Sequence, residues 1–564
     1  MKIIGAFSAR GRCLMRGLLM TLSIAALVSW SPSPGPFAQE KRPSAETAPV
    51  ALSLVSPIEQ AEKDGTALRI SLKELTKLAL QNNLDIAISE TNEAFYQQRV
   101  IQSQGYYDPA INVNAGTGRS KSANTNITNK SLTGFNQRDT ANWNVSVVQN
   151  IPTGGAITAT FNSSRSDTNQ TASLFTPQFQ GSTQIQVTQP LWRNFRIDQT
   201  RSNIRLYNLD LKSNDSKFKQ GVTNTIAAIQ GLYWDLVGAI RDYDIKRQSV
   251  ELARLTVEQN RAKVEIGTLA SITVTEALAT QATREIDLIR AREVILSNEN
   301  ALRNMISSDR NGDIWHQTIV PTESPDFKEY QVALDESINT ALKNRPELEQ
   351  YDLQLQQNDI TYETQKNLKK WQFDVVGTFG ANGTAGPQSY SSGAPTIPTQ
   401  FVGGLPVAYK TIFTEGLLNW TVAFNVQIPI KSRTVDSQLA QTQITKRQLV
   451  MNRTKTEQNI IVQIRNAVEA LETSRQRVET SKVSLRFAQE QFEGETERFG
   501  AGMSQNFQVL QRQADLSSAQ GAALQALIAY KKAVITLQQN MYNLLESNDF
   551  EIAKSTSKGA LGFK

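Results

Sequence analysis

Cysteine and histidine are almost absent from this chain: each occurs once in 564 residues, as Cys13 and His316. Zinc centres and thiol nucleophiles need several such side chains converging on one point, so both chemistries are excluded. Long apolar runs are missing as well. The richest stretch, residues 222–240, carries Gln230 and Asp235, so no helical membrane span is expected. Phosphate-cradling motifs fail too. Gly380, Gly383 and Gly386 lack the dinucleotide spacing and a following helix, and no Gly-Lys-Ser/Thr run occurs. Asp309, Asn311 and Asp313 open like a calcium loop, but Ile314 stands where the turn needs glycine. His316, without a second histidine, reads as a surface or packing residue. Acidic and basic residues are common but form no evident acid/base couple, and i,i+4 pairing on helices accounts for most of them. No enzymatic reaction, metal or cofactor is expected.

Charge of one sign is also scarce. The formal net charge is +6, yet Lys2, Arg10, Arg12 and Arg16 all precede an apolar stretch at residues 17–29, and without them 55 basic residues face 53 acidic ones. A nearly neutral chain has no reason to seek nucleic acid. Basic residues followed by an apolar stretch too short to span a bilayer have the order of a secretory signal peptide, so residues 1–38 are expected to be removed. Ala38 is the expected last residue of the leader, although Pro36 departs from the small-x-small rule. Cys13 precedes the apolar core, so it is no lipid acceptor and leaves with the leader.

What is present has two periods. Residues 39–69 mix Pro, Glu, Lys and Ser and read as a flexible lead-in. From Ile70, apolar Leu72, Leu75, Leu78, Ala79 and Ile86 form a helical stripe, opened by Ser71 with Glu74 as a capping box. The pattern returns at Leu334, Glu336, Ala341, Leu342 and Asn344, so the chain is duplicated. A second landmark agrees: KVEIGTLASITV aligns with RFGAGMSQNFQV, pairing Gly267 with Gly502, Ser271 with Asn506 and Val274 with Val509. The first repeat is read as residues 70–306, a linker as 307–330, the second repeat as 331–546 and a tail as 547–564.

Inside each repeat the period changes to two. Trp420, Val422, Phe424, Val426 and Ile428 alternate with Asn419, Thr421, Ala423, Asn425 and Gln427, giving a strand with one greasy face and a length that suits a tilted membrane crossing. Phe373, Val375 and Phe379 mark its partner, and the strand region of this half is read as residues 371–430. In the first half, residues 107–192 hold four candidates at 111–115, 143–148, 157–161 and 185–191, with polar connections such as 120–142 read as exposed loops. Helices occupy the rest: 198–264 and 435–498 as long helices, with shorter ones at 71–104, 272–306, 334–370 and 505–545. The one at 198–264 spans about 100 Å. Pro346 is expected to break its helix near Arg345.

A sheet with a lipid-facing side cannot leave backbone groups unpaired in hydrocarbon, and four to six strands are too few to close alone, so several copies are required. Trp143, Trp192, Trp371 and Trp420 lie in or beside the strands and suit an aromatic girdle against membrane lipid. These features resemble the TolC-like outer-membrane efflux proteins, whose pattern is a duplicated helix-strand-strand-helix unit and a turn with Gly and Val seven positions apart. The resemblance implies an α+β, mostly helical fold. It also implies a homotrimer sharing an outer-membrane β-barrel joined to a long α-helical periplasmic tunnel, working as an export channel with a periplasmic adaptor and an inner-membrane transporter. It makes Gly267, Thr268, Leu269, Gly502, Met503 and Ser504 adaptor-docking tips. Where some relatives carry an acidic constriction, this chain has Thr273, Gln508 and Gln511, so a polar uncharged constriction is expected, with Glu276 and Asp515 nearby. An extra candidate hairpin around Pro152–Gly155 leaves twelve or eighteen strands open for a trimer. The competing reading is a structural coiled-coil protein of the envelope that conducts nothing.

Overall fold

A computed structural model describes residues 56–124, 134–170, 173–389 and 396–548. The expected leader at 1–38, most of the lead-in and the tail from residue 549 lie outside the described residues. In chain order the elements are α1 (Pro57–Asp64), β1 (Ala67–Ile70), α2 (Leu72–Asn82), α3 (Leu84–Gln104), β2 (Ala110–Ala123), β3 (Phe135–Asn150), β4 (Ala156–Thr168), β5 (Gln178–Pro190), α4 (Gln199–Glu265), α5 (Ile272–Ile306), β6 (Thr318–Pro321), α6 (Leu334–Asn344), α7 (Pro346–Leu368), β7 (Gln372–Ala385), α8 (Leu405–Thr414), β8 (Leu418–Gln427), α9 (Arg433–Gly500) and α10 (Asn506–Met541).

Local chemistry sets most of the boundaries. Ser71 and Glu74 form the reciprocal capping box of α2. The helix then stops at Asn83, whose side chain accepts the N–H groups of Asp85 and Ile86 while its amide donates to the Met305 carbonyl at 2.8 Å. The single leading helix read at 71–104 is therefore two, and the break at Asn83 sits where the repeat places Arg345. There Pro346 opens α7 at its first turn, the position where its missing N–H costs nothing. The two long helices, α4 and α9, run 67 and 68 residues.

These helices form a layer four wide. α4 packs against α3 and α5 on one side and against α7 and α10 on the other, and α9 packs on the far flank of α7 and α10. The order is thus α3, α4, α7, α9 near the main sheet and α5, α4, α10, α9 near the turns. Leu75, Ile226, Leu236 and Leu302 are fully buried in the core around α4; truncating one of them to alanine costs about 2–5 kcal/mol. Lys532 on α10 reaches Asp235 on α4 at 2.8 Å, pinning α10 to α4.

Two stretches read without regular structure carry some. Within the lead-in, Ser56 caps α1, and Glu59 pairs with Arg247 at 2.7 Å. In the linker, β6 pairs in parallel with β1, from Ala67↔Thr318 to Ile70↔Pro321. Four-residue strands show too little alternation to be seen in a sequence. Behind them Glu299 is buried, accepting the Ile319 N–H at 2.8 Å and Arg303 at 2.7 Å. Burial pushes the Glu299 carboxyl above the ordinary glutamate range, against the opposing pull of the Ile319 N–H and Arg303. The native chain therefore keeps this proton where the unfolded chain has lost it. Its stabilising contribution is complete below the ordinary glutamate value and fades as pH rises through the raised one. Glu299→Gln is expected to flatten the fall of the urea midpoint across that window, and an unchanged slope would locate the titration elsewhere.

The main sheet has six antiparallel strands in the order β2, β3, β4, β5, β7, β8. Its strands are longer than their apolar centres suggested. β2 and β3 stay paired through Arg119↔Asp139 and on to Ala123↔Phe135, so much of the 120–142 stretch read as loop is strand. Beyond the greasy band both faces are polar, which hides the period of two. The hairpin around Pro152–Gly155 belongs to this same sheet. α8 lies inside the connection between β7 and β8, and Pro406 in its first turn is the sequence signal for it.

Candidate functional site: a two-faced sheet and paired helical turns

Directly opposed residues in an antiparallel sheet point to the same side, so the register sorts the wall into two faces. One row crosses all six strands as Ile111, Val147, Ala159, Ile185, Phe379 and Trp420. The next on that face reads Val113, Val145, Phe161, Thr183, Ala381 and Leu418. One residue over, on the opposite side, the row is Asn112, Ser146, Thr160, Gln184, Gly380 and Asn419. Six strands thus agree on one apolar and one amide-and-hydroxyl face. The apolar side chains are bare: Ile111 is 69% exposed, Trp420 72% and Phe424 62%. Leaving such a surface in water forgoes about 25 cal/mol per Å², and it reads as a lipid face.

α8 lies on this apolar face. Gly181 and Gly383 clear space for it: a Cβ on Gly383 would come within 2.1 Å of the Ala408 carbonyl oxygen, and one on Gly181 within 2.9 Å of Ile412. Tyr409 bonds the Ser163 hydroxyl at 2.8 Å and meets the Phe161 ring edge-on. Among the described residues β2 and β8 each have one neighbour in this sheet, so two backbone edges are open.

The four tryptophans expected to form a girdle separate by level. Trp192 follows β5 and Trp371 precedes β7, both exposed at the helix end of the sheet. Trp143 and Trp420 stand higher on β3 and β8, and Trp143 also packs on Phe161 at 5.2 Å.

The far ends of the long helices close in matching turns. Gly267 has φ +79° and Gly502 φ +77°, the left-handed region that L side chains rarely adopt. In the first turn Gly267 N–H donates to Val264 and Thr268 N–H to Lys263; in the second Gly502 donates to Phe499 and Met503 to Arg498. Both are Schellman ends that consume the last carbonyls of α4 and α9. Lys263 sits 3.8 Å over the Phe499 ring, joining one turn to the other. Of the expected docking residues, Gly267, Thr268, Gly502 and Met503 are exposed, whereas Leu269 and Ser504 are half-buried and Ser504 is bonded to Glu495. Ile266, Ile272 and Phe507 also stand open beside the glycines. Sequence reading passed over them because they flank the turn motif instead of forming it.

The expected constriction residues are engaged locally. The Thr273 hydroxyl donates to Ala270 at 2.7 Å, Gln508 accepts from Ser504 at 3.1 Å, and Gln511 donates to Asp515 at 3.0 Å. Asp515 is further paired with Arg512 at 3.1 Å, which offsets its charge. Among the described residues no group of three or more His, Cys, Asp or Glu could hold a metal, and no helix is long and apolar enough to cross a membrane.

The outer membrane efflux protein family model matches residues 156–308 and 337–541, more than half of the chain. A search of curated protein sequences finds no match. Among solved structures, the Campylobacter jejuni CmeC outer membrane channel is similar at 17% identity and TM-score 0.60, over 86% of this chain and 88% of that one. The Neisseria gonorrhoeae MtrE outer membrane channel in its open state is similar at 15% identity and TM-score 0.58, over 84% and 89%. The Vibrio cholerae outer membrane protein VceC is similar at 13% identity and TM-score 0.58, over 83% and 95%. With a sheet greasy on one side, two long helices ending in matched turns and the family pattern across both halves, the chain belongs to the outer membrane efflux protein family and is an efflux channel of the outer membrane.

Proposed function

We propose that three copies close the sheet into one barrel, that their helices continue it as a tunnel, and that the turns dock a periplasmic adaptor fed by an inner-membrane transporter. The observation that carries this reading is the six-stranded wall with one apolar face and two open edges. Unpaired N–H and C=O groups cost several kcal/mol each in hydrocarbon, so β2 and β8 must meet the complementary edges of other copies.

The helix layer supports the same join. β2 follows α3 on one flank of the layer and β8 leads into α9 on the other, so one head-to-tail interface runs along both parts, and such an interface closes into a ring. On α9, Ile444, Met451, Val462, Val483 and Phe487 fall on one helical stripe that stays exposed among the described residues. Counting residues from the sheet and from the turn puts Ile444 and Met451 level with Phe95 and Ile88 of α3, and Val483 and Phe487 level with Ile289 and Ile286 of α5. These are the apolar residues that the opposite flank leaves open. At the other end, exposed Ile266, Ile272, Met503 and Phe507 give an adaptor an apolar footing around the glycines.

Purified protein in planar bilayers tests the reading: ion-conducting steps are expected, and insertion without current would favour the coiled-coil envelope protein instead. At the turns, thresholds for block by multivalent cations are expected to be high, since amides hold such ions weakly. The double variant Gln508→Glu, Gln511→Asp is expected to tighten block by about tenfold or more, the effect of roughly 1.4 kcal/mol. Strong block of the unaltered channel at low ion concentration would contradict the uncharged constriction.

A further inference from the structure

We infer that the outer-membrane wall of this channel has eighteen strands, six from each copy, and that its bore is as wide as the helical tunnel beneath it. The inference rests on the three-copy reading above and adds the number of strands.

Two observations place the extra pair of strands in the wall. The hairpin formed by β3 and β4 pairs along its whole length, from Arg138↔Thr168 to Asn150↔Ala156, and β2, β3 and β4 obey the same facial alternation as β5, β7 and β8. The hairpin is also built into the junction with the helices. Gly154, at φ +85°, lies so close to the Asn194 carbonyl oxygen that a Cβ would approach it to 2.4 Å, and Thr153 and Gln189 exchange hydrogen bonds at 2.8 and 3.2 Å. Asn150 donates to the Tyr106 carbonyl at 3.0 Å, tying the base of β3 to the end of α3. A hairpin folded away from the wall would break all of these contacts. β2 and β3 precede residue 156, where the family match begins, whereas β4 lies within it.

Width provides an independent check. Four helices about 9–10 Å apart occupy roughly 36–40 Å of circumference per copy. Six strands about 4.8 Å apart, tilted about 40°, occupy roughly 38 Å, whereas four would occupy roughly 25 Å. Six strands therefore continue the helix layer without a taper. An even number also lets β8 of one copy meet β2 of the next antiparallel, as every other neighbour in the sheet does. Three copies then make a barrel of roughly 36 Å backbone diameter against roughly 24 Å for twelve strands. Its apolar face turns to lipid and its amide-lined face to water, so the membrane exit imposes no narrowing and cargo size is set at the helical turns.

The test uses the full-length protein in nanodiscs, imaged to a resolution at which strands separate, together with disulfide mapping. The only native cysteine, Cys13, lies in the expected leader, which keeps the mapping clean. Asn112→Cys or Asn114→Cys on β2, each combined with Asn419→Cys, Thr421→Cys or Asn425→Cys on β8, is expected to yield covalent dimers and trimers in at least one register. A map with three-fold symmetry and eighteen strands is the expected image. A three-fold map with twelve strands, or ladders from Thr160→Cys on β4 with the same β8 cysteines in place of the β2 set, would overturn the inference and leave the three-copy channel standing. A map without three-fold symmetry would overturn both.

Discussion

The double variant Ile185→Arg, Val422→Arg is expected to disappear from the outer membrane, while Gln184→Arg, Thr421→Arg, one residue away on the same two strands, is expected to assemble normally. Ile185 and Val422 belong to the apolar face and Gln184 and Thr421 to the polar one, by the register of β5, β7 and β8. An arginine on the lipid face near the bilayer centre costs about 2–4 kcal/mol, so two per copy remove roughly 4–8 kcal/mol. That loss is comparable with the whole stability of a typical domain, about 5–15 kcal/mol. On the polar face the same guanidinium stays in water and costs little. Membrane fractionation and the heat-resistant oligomer band on a gel read both outcomes. Equal assembly of the two variants would mean that lipid and water have been assigned to the wrong sides.

Gly267→Val combined with Gly502→Val is expected to leave the amount of protein in the outer membrane unchanged while loosening both turns and releasing the adaptor. No atom lies within 4 Å of a Cβ built on either glycine, so the effect is purely a matter of backbone conformation. Holding an L residue in the left-handed region costs about 1–2 kcal/mol, and a β-branched one is a poorer fit still. Local opening around residues 260–275 and 495–510 should become roughly 5–30 times more frequent, which hydrogen exchange of the intact channel measures directly. Gly267→Asn with Gly502→Asn should recover most of the protection, because asparagine tolerates this region. If valine left exchange and adaptor co-purification unchanged, the Schellman turns would not be what shapes the docking end.

These two predictions draw on features of different legibility. The turn glycines could be read from the chain because two copies of a short motif align and because glycine is required where φ is positive. The lipid face was readable at β8, where Trp420 to Ile428 alternate cleanly, and hardly at β2, where only Ile111 and Val113 break a polar run. Strand length was lost wherever both faces meet water. The break at Asn83 was also hidden, since the orientation in which its side chain accepts the Asp85 and Ile86 N–H groups is held by the bond its amide donates to the carbonyl of Met305, a residue 222 positions away in the chain.

The sequence by itself determined the long helices, the capped start of α2 and the glycine turns. Each follows from a local rule: a period, a cap, or a φ that one residue type tolerates. Only the tertiary structure decided that the additional hairpin joins the six-stranded sheet, that α8 rests on its greasy side, that β1 finds β6, and that, among the described residues, both sheet edges stay open within one chain. Those are pairings between segments far apart in the chain, and hydrogen bonds between backbones carry no trace in residue identity until the partner strand is known.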